Sequence, residues 1–498
     1  MTHGPSTPEN EATPHPSFGS SAVGGLWSPE RRSLTIGLLL TVTLVAFETL
    51  AIATVMPLVT RELGDLHLYG WVFSAFFLGT LLGTVLLGGM VDRRGLVVPF
   101  SVGLVLFGAG LVAGGLAPSM FLLVVGRFAQ GLGAGAIAPI AYVAIGRTLP
   151  DALRARMFAV LSTAWVVPGV AGPALAGVIG EATSWRFVFL GLLPLIAVSG
   201  ALTVASLRRI PAISGQGAPT VTRVATERGR AGQAFVIVGG AALLTAGLTS
   251  VSLVPGVPLI AVGLVLTIRA FRALTPPGTL RASSGLPAAI LLRGVLTFAF
   301  FVADAYVPFA LQEWRGTSAG VAGVALTSAT LAWTVGAWIQ ARVILRSGAR
   351  ILVRLGFLAV ALGIVGFSAV LSPDVPIVAG IVVWAAAGLG MGIAYSPLSL
   401  VTLREAPAGA EGSATSALQL SDMLGTALGT GVGGALIAAG AALALDGWSG
   451  LAAAFALGAG VALAGAATSG RLPARVTAQG RDDPGRDDPR RAEAGRPP

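Results

Sequence analysis

The chain contains no cysteine and no lysine, only three histidines, and just 11% charged side chains across its 498 residues. An average soluble protein carries roughly 25% charged residues, so a soluble multidomain enzyme is a poor fit. Without cysteine there are no disulfides, thiol nucleophiles or cysteine-based metal sites. Without lysine there is no G-x-x-x-x-G-K-[ST] phosphate loop, which excludes ATP hydrolysis by that route. His3, His15 and His67 lie in the N-terminal stretch or in a short loop. A histidine metal site or a histidine proton relay among the apolar runs is therefore not expected. Nor is a nucleic-acid interface, which needs a basic solvated face; here the arginines are scattered between apolar runs.

Apolar length is what the chain does have. Hydrophobic residues make up 54%, and mean hydropathy is +0.83. A helix needs about 20 apolar residues to cross a bilayer. Fourteen stretches qualify: 34–58, 69–91, 97–117, 120–146, 157–179, 187–206, 234–250, 255–271, 287–312, 318–341, 351–371, 375–401, 413–438 and 447–469, numbered helices 1 to 14. Fourteen spans use about 280 positions, which exhausts the apolar residues and leaves none for a folded soluble domain. The expected fold is an all-α polytopic membrane protein. The first 30 residues lack a charged start followed by an apolar core, so no signal peptide is read there. They and the last 28 residues read as solvated tails.

All 32 basic residues are arginine, against 22 acids, for a net charge of +10. Cytoplasmic loops collect basic residues. With the N-terminus inside, 28 arginines fall in inside segments (Arg293 counted among them), and Arg61, Arg186 and Arg315 fall outside. Arg127 lies within helix 4. This split sets the parity of the helices but does not separate twelve spans from fourteen, because helices 7 and 8 are removable as a pair. Pro255 and Pro258 are read as the turn between those two, which form either a spanning hairpin or a partly inserted linker.

The spans group as six, two and six. The expected divisions are an N-tail at 1–33, a first six-helix half at 34–206, a linker with the extra hairpin at 207–286, a second half at 287–469 and a C-tail at 470–498. Asp92-Arg93-Arg94-Gly95 after helix 2 is echoed by Arg346-Ser347-Gly348-Ala349-Arg350 after helix 10. Two such halves around a mid-membrane site are a transporter design.

Ionisable groups inside a membrane are costly and mark functional sites. Four stand mid-span: Glu48 in helix 1, Arg127 in helix 4, Asp304 in helix 9 and Asp422 in helix 13. Low dielectric disfavours an ionised carboxyl, so such acids are candidates to take up and release a proton. The structural alternative is a carboxylate paired with Arg127 or capping a broken helix. Phe298, Phe300, Phe301, Tyr306 and Phe309 crowd Asp304. Aromatic faces beside an acid suit an amphipathic cation, so Phe298, Phe301, Tyr306 and the tryptophan of the Ala164-Trp165 step are the expected cavity residues. In helix 5, Pro168-Gly169 and Gly172-Pro173 with Gly177 combine helix bending with close helix approach.

These segments resemble the major facilitator superfamily, in its fourteen-helix drug:proton antiporter branch. Gly88-Gly89-Met90-Val91-Asp92-Arg93-Arg94-Gly95 resembles the signature between helices 2 and 3, and Arg127 to Gly135 that of helix 4. Gly169 to Gly177 is similar to the antiporter signature of helix 5, and Glu48 to Pro57 to that of helix 1. The Trp185-Arg186-Phe187-Val188-Phe189 entry to helix 6 is also similar. The chain departs from the pattern at Glu48 (usually Asp), at Leu96 and Val97 (usually basic), at Ala176 (usually Gly) and at Gly191 (often Asn).

The resemblance implies two six-helix halves plus a two-helix insertion. It implies that Gly88, Asp92, Arg93 and Gly95 form a conformational latch, with Asp92 facing the N-terminal end of helix 13. Arg127 would tune the proton-coupling acids, and Gly169, Gly172, Pro173 and Gly177 would bend and seal helix 5. The expected function is proton-driven export of a hydrophobic or amphipathic small molecule, as a monomer, with no catalytic chemistry, no cofactor and no metal. The expected partners are substrate, protons and the lipid bilayer. The alternatives are a proton-coupled nutrient importer, an exporter of a lipid-like product and a non-transporting scaffold. Exclusive arginine with abundant alanine and glycine points to a GC-rich bacterial source, and so to a bacterial inner membrane.

Overall fold

The computed structural model describes residues 25–474 apart from 30, 211–220, 251, 408–409 and 444–447. The described residues are helical with no strand, and fourteen helices are long and apolar enough to span a membrane. They are α1 Arg32–Leu63, α2 Tyr69–Arg94, α3 Val97–Gly115, α4 Met120–Thr148 and α5 Asp151–Ala182. Then come α6 Arg186–Leu207, α7 Val221–Leu248, α8 Leu253–Leu274, α9 Leu286–Trp314 and α10 Ala319–Ile344. The last four are α11 Arg346–Leu371, α12 Ile377–Glu405, α13 Glu411–Ala442 and α14 Ser449–Thr468.

Every expected span is present, with three differences. The stretch read as a polar linker up to residue 233 is helical from Val221, because its Arg, Ala, Glu and Gln residues are good helix formers and outweigh Gly229 and Gly232. The turn between α7 and α8 precedes both prolines. Pro255 sits in the first turn of α8, where its missing N–H is not needed, and Pro258 lies inside that helix. Finally, α9 is broken. A regular helix ends at Asp304, a short turn carries Val307–Phe309, and a π-turn follows at Ala310–Trp314. Pro308 is the cause: it has no N–H to bond the Asp304 carbonyl four residues back.

The internal repeat runs deeper than the turn echo. Gly95 (φ 69°, ψ −169°) and Gly348 (φ 75°, ψ 159°) share a backbone conformation open essentially to glycine alone. Gly131-Leu132-Gly133-Ala134-Gly135 in α4 matches Gly388-Leu389-Gly390-Met391-Gly392 in α12. A Cβ on Gly133 would strike the Gly103 carbonyl and Phe107 amide of α3; one on Gly390 would strike the Gly356 carbonyl and Val360 amide of α11. Both halves therefore bring backbones into contact at equivalent places.

The two sets of six meet toward the end that carries Arg61 and Arg186. Arg61 Nε donates to Glu313 Oε1 at 2.7 Å, and Gln312 Nε2 donates to the Thr54 carbonyl at 2.9 Å. Ser74 Oγ donates to the Ala427 carbonyl at 2.6 Å and Thr327 Oγ1 to the Val170 carbonyl at 3.2 Å. The Glu181 carboxylate accepts from the Ala319 amide that opens α10. This arginine-poor end is closed.

The α7–α8 hairpin packs along α2 and α13. Ala234, Ile237, Val238 and Phe271 interleave with Leu78, Leu81 and Leu82 of α2 and with Leu420 and Leu424 of α13. Trp71 Nε1 donates to Thr249 Oγ1 at 3.2 Å.

Candidate functional site

The four mid-span ionisable groups take three different environments. Glu48 and Arg127 are both fully buried and form an ion pair between α1 and α4. Arg127 also donates to Gln130 Oε1 at 2.7 Å and to the Val72 carbonyl at 3.2 Å, and its guanidinium lies 4.3 Å from the Phe76 ring centre. This is the structural alternative weighed for Glu48. The acid does not open on a cavity, although its Oε2 has no hydrogen-bond partner.

Asp422 is also paired, with a cation that the arginine count had assigned to a loop. Arg293 lies two turns into α9 and is 3% exposed. Its Nε is 3.2 Å from Asp422 Oδ1, and Tyr395 of α12 donates to Asp422 Oδ2 at 2.7 Å. Arg293 Nη1 donates to the Tyr395 carbonyl at 2.5 Å, with its guanidinium carbon 3.0 Å from that ring centre. The cytoplasmic tally therefore loses one arginine, and the membrane gains a second buried one. The signal for it was present: Arg293 is flanked on both sides by the apolar run of α9. In the α4/α12 repeat, Trp384 stands where Arg127 stands. The second half thus takes its cation from α9 instead.

Asp304 differs from both. Partly exposed residues on α9 recur as Leu291, Val295, Phe298, Phe301 and Asp304, a spacing of three to four that makes one face. That face looks across to the first six helices, since Phe301 packs on Phe77 of α2 with ring centres 6.1 Å apart. Asp304 ends the stripe at the helix break, and its carboxylate has no hydrogen bond or ion pair among the described residues. Phe300, behind it, stacks on Trp384 at 5.4 Å and meets Trp333 edge-on at 5.9 Å; Trp333 in turn meets Tyr395. The aromatic wall thus runs from Phe77 through Phe301, Phe300 and Trp333 to Tyr395; sequence reading named Phe300 and Phe301 of it but not Phe77, Trp333 or Tyr395.

Two expected cavity residues lie elsewhere. Tyr306 is fully buried at the closed end, 5.4 Å from the Tyr69 ring, and donates to the Thr430 carbonyl. Its place just past the break turns it away from the Asp304 face. Trp165 is 47% exposed and makes no ring contact among the described residues.

The α5 motif is a contact surface. A Cβ on Gly177 would lie 2.8 Å from the Ala319 backbone of α10, and Gly169 faces Thr330 of the same helix. Gly172 faces Phe47 of α1 at 3.5 Å instead. Pro168 and Pro173 lie inside one continuous helix. Of the expected latch, Gly88 has open space around it and Gly95 ends α2. The side chains of Asp92 and Arg93 lie outside the described residues. No cluster of metal-binding side chains occurs among the described residues.

Relatives place this architecture. Residues 38–430 match the family described as Major Facilitator Superfamily. A probable multidrug-efflux transporter of Mycobacterium tuberculosis is 28% identical over 405 residues, covering 77% of this chain and 83% of that protein. Multidrug resistance protein 3 of Bacillus subtilis is 30% identical over 166 residues, covering 33% of this chain and 32% of its own. Among solved structures, a peptide transporter POT in complex with alafosfalin has a TM-score of 0.65 at 17% identity, covering 87% of this chain and 93% of that one. A D-xylose–proton symporter has a TM-score of 0.62 at 14% identity, with 89% and 98% covered. Fourteen apolar helices, a repeated glycine framework and a family match across most of the sequence agree: the chain is a polytopic membrane transporter of the Major Facilitator Superfamily.

Proposed function

We propose that the protein exports hydrophobic or amphipathic small molecules by exchange with protons, with Asp304 as the carboxyl that exchanges. The observation that carries this reading is the contrast among the acids. Glu48 and Asp422 are each engaged by a buried arginine, while Asp304 sits at a broken helix, on the face between the two sets of six, beside an aromatic wall. Broken helices at the junction of repeats hold the sites of many transporters. The names of the relatives support efflux.

In this reading the arginine-rich end is cytoplasmic, with both termini there, and the molecule is closed toward the outside of a bacterial inner membrane. The halves 34–206 and 287–469 rock about the site, as a monomer. The stretch 207–286 links them, and the tails 1–33 and 470–498 stay in solvent. Substrate binding from the cytoplasmic side displaces the proton of Asp304, and reprotonation from outside releases the substrate. One charge moved through about 100 mV supplies roughly 2.3 kcal/mol, enough for a gradient of about 50-fold.

The test is uptake into everted membrane vesicles, with substrate chosen from a drug-susceptibility panel in an expressing strain. Collapsing both the pH gradient and the membrane potential should abolish uptake. Uptake that persists without either contradicts the coupling.

A further inference from the structure

We infer that Arg293 is a positioning residue that holds Asp422 as a fixed anion, so that the two acids of the later six helices divide their work: Asp304 exchanges protons and Asp422 does not. The inference rests on the proposed function for the role of Asp304, and on the Arg293 geometry for the role of Asp422.

Asp422 accepts a hydrogen bond at Oδ2, while its Oδ1 faces Arg293 in an ion pair without a hydrogen bond. Arg293 approaches Oδ1 at 3.2 Å and the Tyr395 hydroxyl donates to Oδ2 at 2.7 Å. Arg293 is itself held, by the Tyr395 carbonyl at 2.5 Å and by Ser399 Oγ at 3.3 Å. The backbone beneath is pinned too, since Thr297 Oγ1 of α9 donates to the Asp422 carbonyl at 3.0 Å. A guanidinium keeps its charge in proteins, and the phenol that donates to Oδ2 fixes the orientation of the carboxylate between Arg293 and Tyr395. Among the described residues, the neighbouring elements bring no competing charge. From α9 come Arg293 and Thr297, and from α12 Tyr395 and Ser399. On α13 the neighbours of Asp422 in sequence, Ser421 and Met423, carry no charge, and Leu420 and Leu424 pack against leucines of α2 and aliphatic residues of α7. The assembly is charge-balanced, whereas Asp304 has no such partner among the described residues.

The two sets of six place their buried cations differently. In the first six helices the acid is on α1 and the arginine on α4. In the second set the α4 position is Trp384, stacked on Phe300, and the acid is on α13. The cation that reaches it comes from α9.

Infrared difference spectroscopy of the purified full chain in phosphatidylcholine vesicles, titrated from about pH 5 to about pH 9, tests the division without a substrate. The native chain should show a titrating carboxylic-acid band that Asp304→Asn removes and Asp422→Asn leaves. Arg293→Gln should add a second band, removed by a further Asp422→Asn, while Arg293→Lys, which keeps the charge, should match the native spectrum. If Asp422→Asn removes a band from the native chain, or if folded Arg293→Gln adds none, the inference falls. If Arg293→Gln does not fold, a second band in Arg293→Lys overturns it, because retained charge is then insufficient. Loss of no band in Asp304→Asn overturns the functional reading instead, independently of Arg293.

Discussion

Glu48 and Arg127 show how much a buried charge depends on its partner. Removing one member of a buried pair leaves the other uncompensated, at about 3–5 kcal/mol. Glu48→Gln and Arg127→Gln should each lower stability by about that amount, measured by thermal or denaturant unfolding in detergent. The double variant should lose clearly less than the sum. Strict additivity would mean that the two side chains do not act as a pair. At this scale the sequence was informative about which groups matter and silent about what they touch. A charge inside an apolar run is visible in one dimension; the helix face it occupies is not. Glu48 therefore looked equivalent to Asp304 by depth, and only packing separates a sealed ion pair from a partly exposed acid without a partner among the described residues. Arg293 was missed because it lies near the start of its span, where a loop charge and a buried charge look the same in a count.

The helices themselves were the most legible level. Runs of about 20 apolar residues have few alternatives, and all fourteen are present. The break in α9 was also written in the sequence, since Pro308 removes a hydrogen bond to the Asp304 carbonyl, but an uninterrupted apolar run concealed it. The α4/α12 glycine repeat was equally readable and passed unnoticed beside the shorter turn echo. Close contact now divides the α5 glycines by consequence. Gly177→Ala presses a methyl onto the α10 backbone, which cannot yield as a flexible side chain does, and should cost about 1–3 kcal/mol as overpacking. Gly172→Ala meets Phe47 at an ordinary 3.5 Å and should change stability by no more than about 0.5 kcal/mol. Unfolding measurements on the two variants check this; equal effects would show that α5 and α10 do not meet through Gly177.

For the whole molecule, the proposed orientation rests on the arginine split, which survives the removal of Arg293 from the loop count because the imbalance is so large. The hairpin was the ambiguous part, since helix parity is blind to a pair. Its packing along α2 and α13 places the α7–α8 turn at the same end as Arg61, with Ser252 exposed. The natural absence of cysteine makes this testable: Ser252→Cys should be labelled by an impermeant maleimide added outside intact cells. Protection there, with labelling only after permeabilisation, would contradict the orientation or the spanning hairpin.

The central claim is that Asp304 exchanges the proton that drives transport. The most direct measurement is proton release when a transported compound is added to the purified full chain in weakly buffered detergent, comparing the native chain with Asp304→Asn. The account predicts release of about one proton per molecule from the native chain, since one partly exposed acid lacks a partner, and none from Asp304→Asn. Equal release from both would contradict it.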